Sequence, residues 1–294
     1  MGFSDVVVLA LTLLCAEKEA LAFIRRVAYG TVIDPEKYPY VVEVIVENET
    51  TGYQCTGSLI SRSVVLTAGH CVSGKEMEYS VQFRKRGVLT TIIHKTVSAD
   101  GGLFAVFDYN HPINIKSANI KDFALVDVGL IVLNEPLPIC EREDGRLYSV
   151  LPLPISNRYS DEWTSYTNSF EDCKLLGYGV HELGIPDGQL RELNVSVQVY
   201  ANALVSVLRG KGAACPADSG GPVICLSREK EYIAAGIISH GRGKSRELKP
   251  QCYGNKWSPE GDVFVDIRIA LPIIKEGLIR LGKLKEFLAD NMSC

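Results

Sequence analysis

Three residues carry the side chains that nucleophilic catalysis by a serine requires, and each stands beside an apolar stretch. His70 stands just before the closing Cys71 of "VVLTAGHC", Asp127 opens "DVGLIVL", and Ser219 lies in "DSGGP", where Gly220 and Gly221 permit close backbone approach. A serine hydroxyl attacks a carbonyl only with a general base in hydrogen-bond reach. That base needs a carboxylate to fix its tautomer and stabilise its charge. Histidine, aspartate and serine in this chain order form one of the known triad orders. A carboxylate at the mouth of an apolar strand is costly unless it is paired, so Asp127 itself calls for a partner.

Such residues must be held by rigid elements. Past residue 26 the chain is mostly short apolar runs, among them "YVVEVIVE" (40–47), "SVVLTAG" (63–69), "NVSVQVY" (194–200) and "YIAAGIIS" (232–239). Gly, Pro, Asn or charged residues bound them, which predicts an all-β sandwich or barrel. Near the C-terminus Ile274, Leu278, Leu281, Leu284 and Leu288 recur at spacings of three and four. This predicts an amphipathic helix over about 272–290 with one face docked on the core. His94, His111 and His181 fall in polar stretches and are read as solvated loop residues.

The 294 residues suffice for one large domain or two small ones sharing an interface. The net charge of −4, with no long basic run, argues against a nucleic-acid partner. The nine cysteines form no C-x-x-C pair and are not clustered with histidines, so no metal is expected. Wide spacing fits disulfides and hence an oxidising compartment. Val6 to Ala16 is apolar but too short to span a membrane, and Ala20-Leu21-Ala22 follows as a small-x-small pattern. Residues 1–22 are therefore read as a secretory signal, with cleavage after Ala16 as the alternative, and no membrane association is expected. Asn48, Asn194 and Asn291 begin glycosylation triplets.

Four motifs in one order resemble those of the chymotrypsin-like (trypsin-like) serine proteases. "LTAGHC" resembles Thr-Ala-Ala-His-Cys, and "DVGLIVLNEPL" resembles the family's Asp-Ile-Ala-Leu-Leu strand. "CPADSGGPVIC" resembles Gly-Asp-Ser-Gly-Gly-Pro, and "GIISHG" resembles Gly-Ile-Val-Ser-Trp-Gly. The resemblance runs from about Val27 to the terminal helix. It implies two perpendicular six-stranded β-barrels with a C-terminal helix, and a secreted serine endopeptidase made as a zymogen. It further implies protein or peptide substrates, an activating protease, protein inhibitors, a monomeric state and no cofactor. An inactive homologue serving as a binding or regulatory module is the alternative.

Residue by residue, the resemblance implies Ser219 as nucleophile, His70 as base and Asp127 as its orienting acid, supported by Ser239. The amides of Ala217 and Ser219 would form the oxyanion hole. Ala217 stands where the family has a glycine of positive φ, a conformation costing alanine about 1 kcal/mol or more. "FIRRVAYG" resembles an activation junction, which makes 23–26 a propeptide and 27–294 the peptidase domain. Cleavage after Arg26 would free the Val27 amine to pair with Asp218. The implied disulfides are Cys55–Cys71, Cys173–Cys225, Cys215–Cys252 and Cys140–Cys294. Ala213 would form an uncharged primary-pocket floor, with Ser239, His240 and Gly241 lining the substrate cleft and His240 replacing a tryptophan. Either Asp262 or Gly261 would occupy the opposite wall. Asp262 would favour Lys, Arg or a mixture, and Gly261 would favour apolar residues. The basic stretch with Arg242, Lys244, Arg246 and Lys249 is read as a solvated loop.

Overall fold

A computed structural model describes residue 27 and residues 30–74, 77–84, 92–97, 102–108, 126–143, 146–165, 167, 170–180, 187–200, 203–207, 212–241 and 262–290. Strand β1 (Thr31–Val32) leads into β2 (Val41–Glu47), β3 (Gly52–Ser61), β4 (Val64–Thr67), β5 (Glu78–Arg84), β6 (Ile92–Val97), β7 (Leu103–Asp108) and β8 (Val126–Val132). A small ribbon of β9 (Arg142–Glu143) and β10 (Arg146–Leu147) follows. The second half holds β11 (Glu171–Gly177), β12 (Arg191–Tyr200), β13 (Ala203–Val207), β14 (Pro222–Leu226), β15 (Tyr232–Gly241) and β16 (Asp262–Asp266).

All pairings are antiparallel. In the first half β5, β2, β3, β4 and β8 are neighbours in that order. β6 pairs with β5, and β7 pairs with β8. Only residues 98–102 separate β6 from β7, so one path along the chain supplies both edges of the sheet. In the second half β12, β11, β14, β15, β16 and β13 pair in sequence. The second half of β12 then pairs with β13, which brings the pairing round a ring of six. β1 adds a short seventh strand by pairing Val32 with Arg191. These pairings agree with the expected six strands per half, with β6 and β7 counted as one path and β1 as a short addition at an edge.

Sequence patterns explain why these elements hold. In β2, Val42, Val44 and Val46 are buried on one face. Glu43 is also buried, but accepts 2.8 Å from Arg84 Nε of β5. Asn48 closes the β2–β3 hairpin, because its Oδ1 accepts from the amides of Thr50 and Thr51, both at 2.9 Å. One apolar cluster runs through both halves, and a smaller one inside the second joins Val27, Leu175, Val223, Ile238 and Phe264.

The terminal helix departs from the expected 272–290. Helix α1 spans Ile267–Arg280 and α2 spans Leu284–Ala289. Asp266 ends β16 and caps α1, its carboxylate accepting 2.9 Å from the Arg268 amide. Gly282 separates the helices at φ +68°, the left-handed turn that closes many helices. The apolar spacing continues through this break, so periodicity did not reveal it. Gly277 of α1 faces Phe104 and Leu130, where a Cβ would come within 2.6–2.7 Å of their rings and methyls. The helix therefore lies against β7 and β8. Asp290 holds α2 down by accepting from the Arg62 amide at 2.7 Å. His94 is also a correction: it lies within strand β6, opposite Gln82, because "IIHKTV" is rich in β-branched residues. His111 and His181 lie outside the described residues.

Candidate active site

His70 sits in a short 3₁₀ turn, Gly69–Cys71, that follows β4 directly. The Cys55–Cys71 disulfide ties this turn to β3. Asp127 is the second residue of β8 and is fully buried. Its Oδ1 accepts from the His70 amide at 2.8 Å, and its Oδ2 lies 2.8 Å from His70 Nδ1. The Ser239 hydroxyl of β15 donates to the same Oδ2 at 2.6 Å. Three donors from two halves of the fold thus converge on one buried carboxylate, which supplies the pairing that its burial demands. With Nδ1–H donating to Asp127, the basic nitrogen of the imidazole is Nε2.

Ser219 belongs to the turn between Cys215 and β14. Its carbonyl accepts 2.8 Å from the Thr56 amide of β3, and its Oγ lies 3.5 Å from the Ser239 carbonyl. Gly220 has φ +83°, and a Cβ there would fall 2.0 Å from Thr67 Oγ1 and 2.4 Å from the Thr56 carbonyl. Only glycine lets the turn dock this closely on the first half. Ala217 takes φ +76°, so it carries the strained conformation expected of it. Its carbonyl accepts 2.8 Å from Thr56 Oγ1, and Thr56 Oγ1 itself accepts 3.1 Å from the Tyr178 amide. Among the described residues, the amides of Ala217 and Ser219 donate to no acceptor, while their carbonyls are engaged. Two unspent donors flank Asp218, an arrangement suited to binding a developing oxyanion.

Asp218 is buried under this turn. Its Oδ1 accepts from the Gly179 amide and its Oδ2 from the Cys215 amide, both at 2.8 Å. Gly177 and Gly179 make room for it, since a Cβ at either would overlap the carboxylate. Burial pushes its pKa up to about 6, opposed by the two amides and then by the charge of Arg191. Val27 is fully buried in the apolar cluster of the same half. Arg26 lies outside the described residues.

Of the residues expected around the primary pocket, Ala213 is half-buried and Asp262 is buried. Asp262 Oδ2 accepts 2.9 Å from the amide of Ala214, one residue past Ala213. Burial raises its pKa to about 7, the Ala214 amide opposes this, and the Asp218 charge adds to it. Gly261 and residues 242–260 lie outside the described residues. For His240 and Gly241 the backbone alone is described, paired with Val263 and Asp262. Cys173–Cys225 forms as implied. Cys140 and Cys215 are also disulfide-bonded, to partners outside the described residues. No metal site arises at Cys55, His70 and Cys71, since both thiols are consumed by their disulfide.

Two positions escaped the sequence reading. Thr56 ties the nucleophile turn to β3, and Arg191 is a fully buried cation on β12. Neither has a local motif, because both act through strand register with segments far away in sequence.

A carboxylate–imidazole pair on one β half and a glycine-flanked serine turn on the other define the serine-protease class of two-half β folds. The model of the family described as Trypsin matches residues 28–257, and the chain belongs to that family. It is similar to tissue-type plasminogen activator of Sus scrofa and of Bos taurus. Each is 25% identical over 254 residues, covering 78% of this chain and 42% of the relative. The chain thus spans less than half the length of these curated relatives.

Proposed function

We propose that the chain is a secreted serine endopeptidase, made as a zymogen, that hydrolyses peptide bonds through an acyl-enzyme intermediate. The observation that carries this is the convergence of His70, Ser239 and the His70 amide on buried Asp127, beside a Ser219 turn with two unspent amides. Ser219 Oγ bonds to the substrate carbonyl carbon while its proton passes to His70 Nε2. Asp127 stabilises the resulting imidazolium, and the amides of Ala217 and Ser219 bind the oxyanion. Collapse breaks the C–N bond, and the amine leaves with the proton from His70. Water then repeats the sequence on the acyl-enzyme and releases the acid and free Ser219.

Cleavage after Arg26 by an activating protease would free the Val27 amine, and burial of both Val27 and Asp218 in the second half supports its pairing there. Residues 1–22 act as the secretion signal, and the exposed Asn48 and Asn194 are accepting sites for glycans. Among the described residues no helix is long and apolar enough to cross a membrane. Substrates are proteins or peptides, and protein inhibitors of the family are further partners. The buried carboxylate of Asp262 beside Ala214 supports a preference for Lys, Arg or a mixture of residues before the cleaved bond. A positional peptide library would show this preference, and Asp262→Gly should shift it toward apolar residues.

Labelling by a fluorophosphonate probe tests the central reading. The processed protein should label, and Ser219→Ala should abolish labelling. If the processed protein does not label at Ser219, the binding-module reading replaces this one. The strain at Ala217 is the observation that favours that second reading.

A further inference from the structure

Arginine is almost never fully buried in a soluble protein unless it is paired. Arg191 is fully buried in strand β12. Its Nη2 donates to both carboxylate oxygens of Asp187 at 2.7 Å, and its Nη1 donates to the Gln189 carbonyl at 2.8 Å. Those contacts fix the guanidinium but leave its location to be explained. Arg191 stands opposite Gly177 in the β11–β12 register. The Asp218 carboxylate lies directly over Gly177, where an added Cβ would fall 2.0 Å from Oδ1. Arg191 thus shares a register position with the glycine that Asp218 covers, and its charge acts to lower the Asp218 pKa.

We infer that Arg191 is a positioning residue: clamped by Asp187, it is a second and permanently charged partner for Asp218, and it helps hold the Ala217–Ser219 turn in its donor-exposing shape. This rests on the peptidase reading above. Among the described residues the groups facing Asp218 are few. Arg191 comes from β12 with Asp187 as its charge partner, Asp262 comes from β16, and the amides of Gly179 and Cys215 supply its direct hydrogen bonds. After cleavage the Val27 amine joins them. The two cations differ in kind. An α-amine loses its proton in the alkaline range, and a guanidinium does not. With Arg191 present, deprotonation of Val27 leaves Asp218 still facing the cationic end of the Arg191–Asp187 pair. The nucleophile turn then depends less on the amine than it would alone.

The test follows the rate of fluorophosphonate labelling of Ser219 from pH 7 to 11 on chain cleaved at Arg26, with the new terminus verified by sequencing. Intrinsic fluorescence at each pH reports folding. The parent should retain part of its rate above the α-amine titration. Arg191→Met keeps an apolar stem in the buried site and removes the charge. It should lower the ratio of the rates at pH 10 and pH 8 by about tenfold, the size of one unit of charge coupling. Arg191→Lys should match the parent below about pH 10 and fall beneath it above, as the lysine itself deprotonates. A parent that never labels defeats the peptidase reading instead. A labelling parent whose Arg191→Met ratio is unchanged overturns the role of Arg191. If Arg191→Met does not fold, Arg191→Lys decides alone: a profile that tracks the parent throughout also overturns it.

Discussion

Ala217 shows how a single residue can be strained and still be in the functional shape. At φ +76° it occupies a region that an L-residue with a Cβ enters at a cost, yet its amide meets no protein acceptor among the described residues. Ala217→Gly should therefore stabilise the protein by about 1 kcal/mol, read by urea unfolding, without lowering the labelling rate. Asp262 makes a prediction in pH. Its folded pKa of about 7 exceeds the unfolded value near 3.9, so it binds a proton more tightly when folded. That contribution to stability is fully present below about pH 4 and is lost as pH rises through 7. Asp262→Asn keeps an acceptor for the Ala214 amide and removes the titration. Its unfolding free energy should vary less than the parent's between pH 5 and pH 8. The catalytic residues were legible because each lies in a short motif whose chemistry is local. Thr56 and Arg191 were not, because nothing in "QCTGS" or "LRELN" tells which distant backbone they will meet.

At the scale of elements, the site depends on how β3, β4 and β8 are tied together. The Cys55–Cys71 disulfide closes a loop with a separation of 16 residues and fixes the turn that carries His70. Replacing both cysteines with alanine should lower stability by about 3 kcal/mol in the chain-entropy account, measured by chemical denaturation. Activity should fall with it, since His70 loses its tether. Strands were legible as apolar runs, but their division was not. β6 and β7 are separated by the stretch Asp100-Gly101-Gly102, a turn signal that the reading of apolar runs passed over. The helix was legible on its apolar face alone. Its start at Ile267 hid behind strand β16, because Asp266 is both the last strand residue and the cap.

For the whole molecule, the two halves meet where the chemistry is proposed, and neither half contains it alone. His70 and Asp127 come from the first half, while Ser219 and Ser239 come from the second. Arg26→Gln, which blocks the proposed cleavage, should leave the secreted chain with at least tenfold slower labelling than the processed parent, as expected when one partner of a buried ion pair is missing. Equal rates would remove the zymogen assignment. Fold class was legible from resemblance, since strand patterns alone admit a sandwich as readily as paired rings. The joining of the halves was legible in part: the resemblance implied the support of Asp127 by Ser239, whereas the bond from the Thr56 amide to the Ser219 carbonyl runs through backbone atoms that carry no motif.

Strand β1 has a consequence for how a freed terminus would find its place. Val32 pairs with Arg191, and the Ile33 amide donates to the Leu190 carbonyl at 3.0 Å. Thr31, four residues after Val27, is moored as well by pairing with Glu192, which leaves a span of at most about 14 Å when extended. A cleaved Val27 amine would be a tethered ligand for Asp218, confined within that reach of β1 at an effective concentration of millimolar or above. Even a weak intrinsic affinity would then keep the site filled, and dilution of the protein would not empty it.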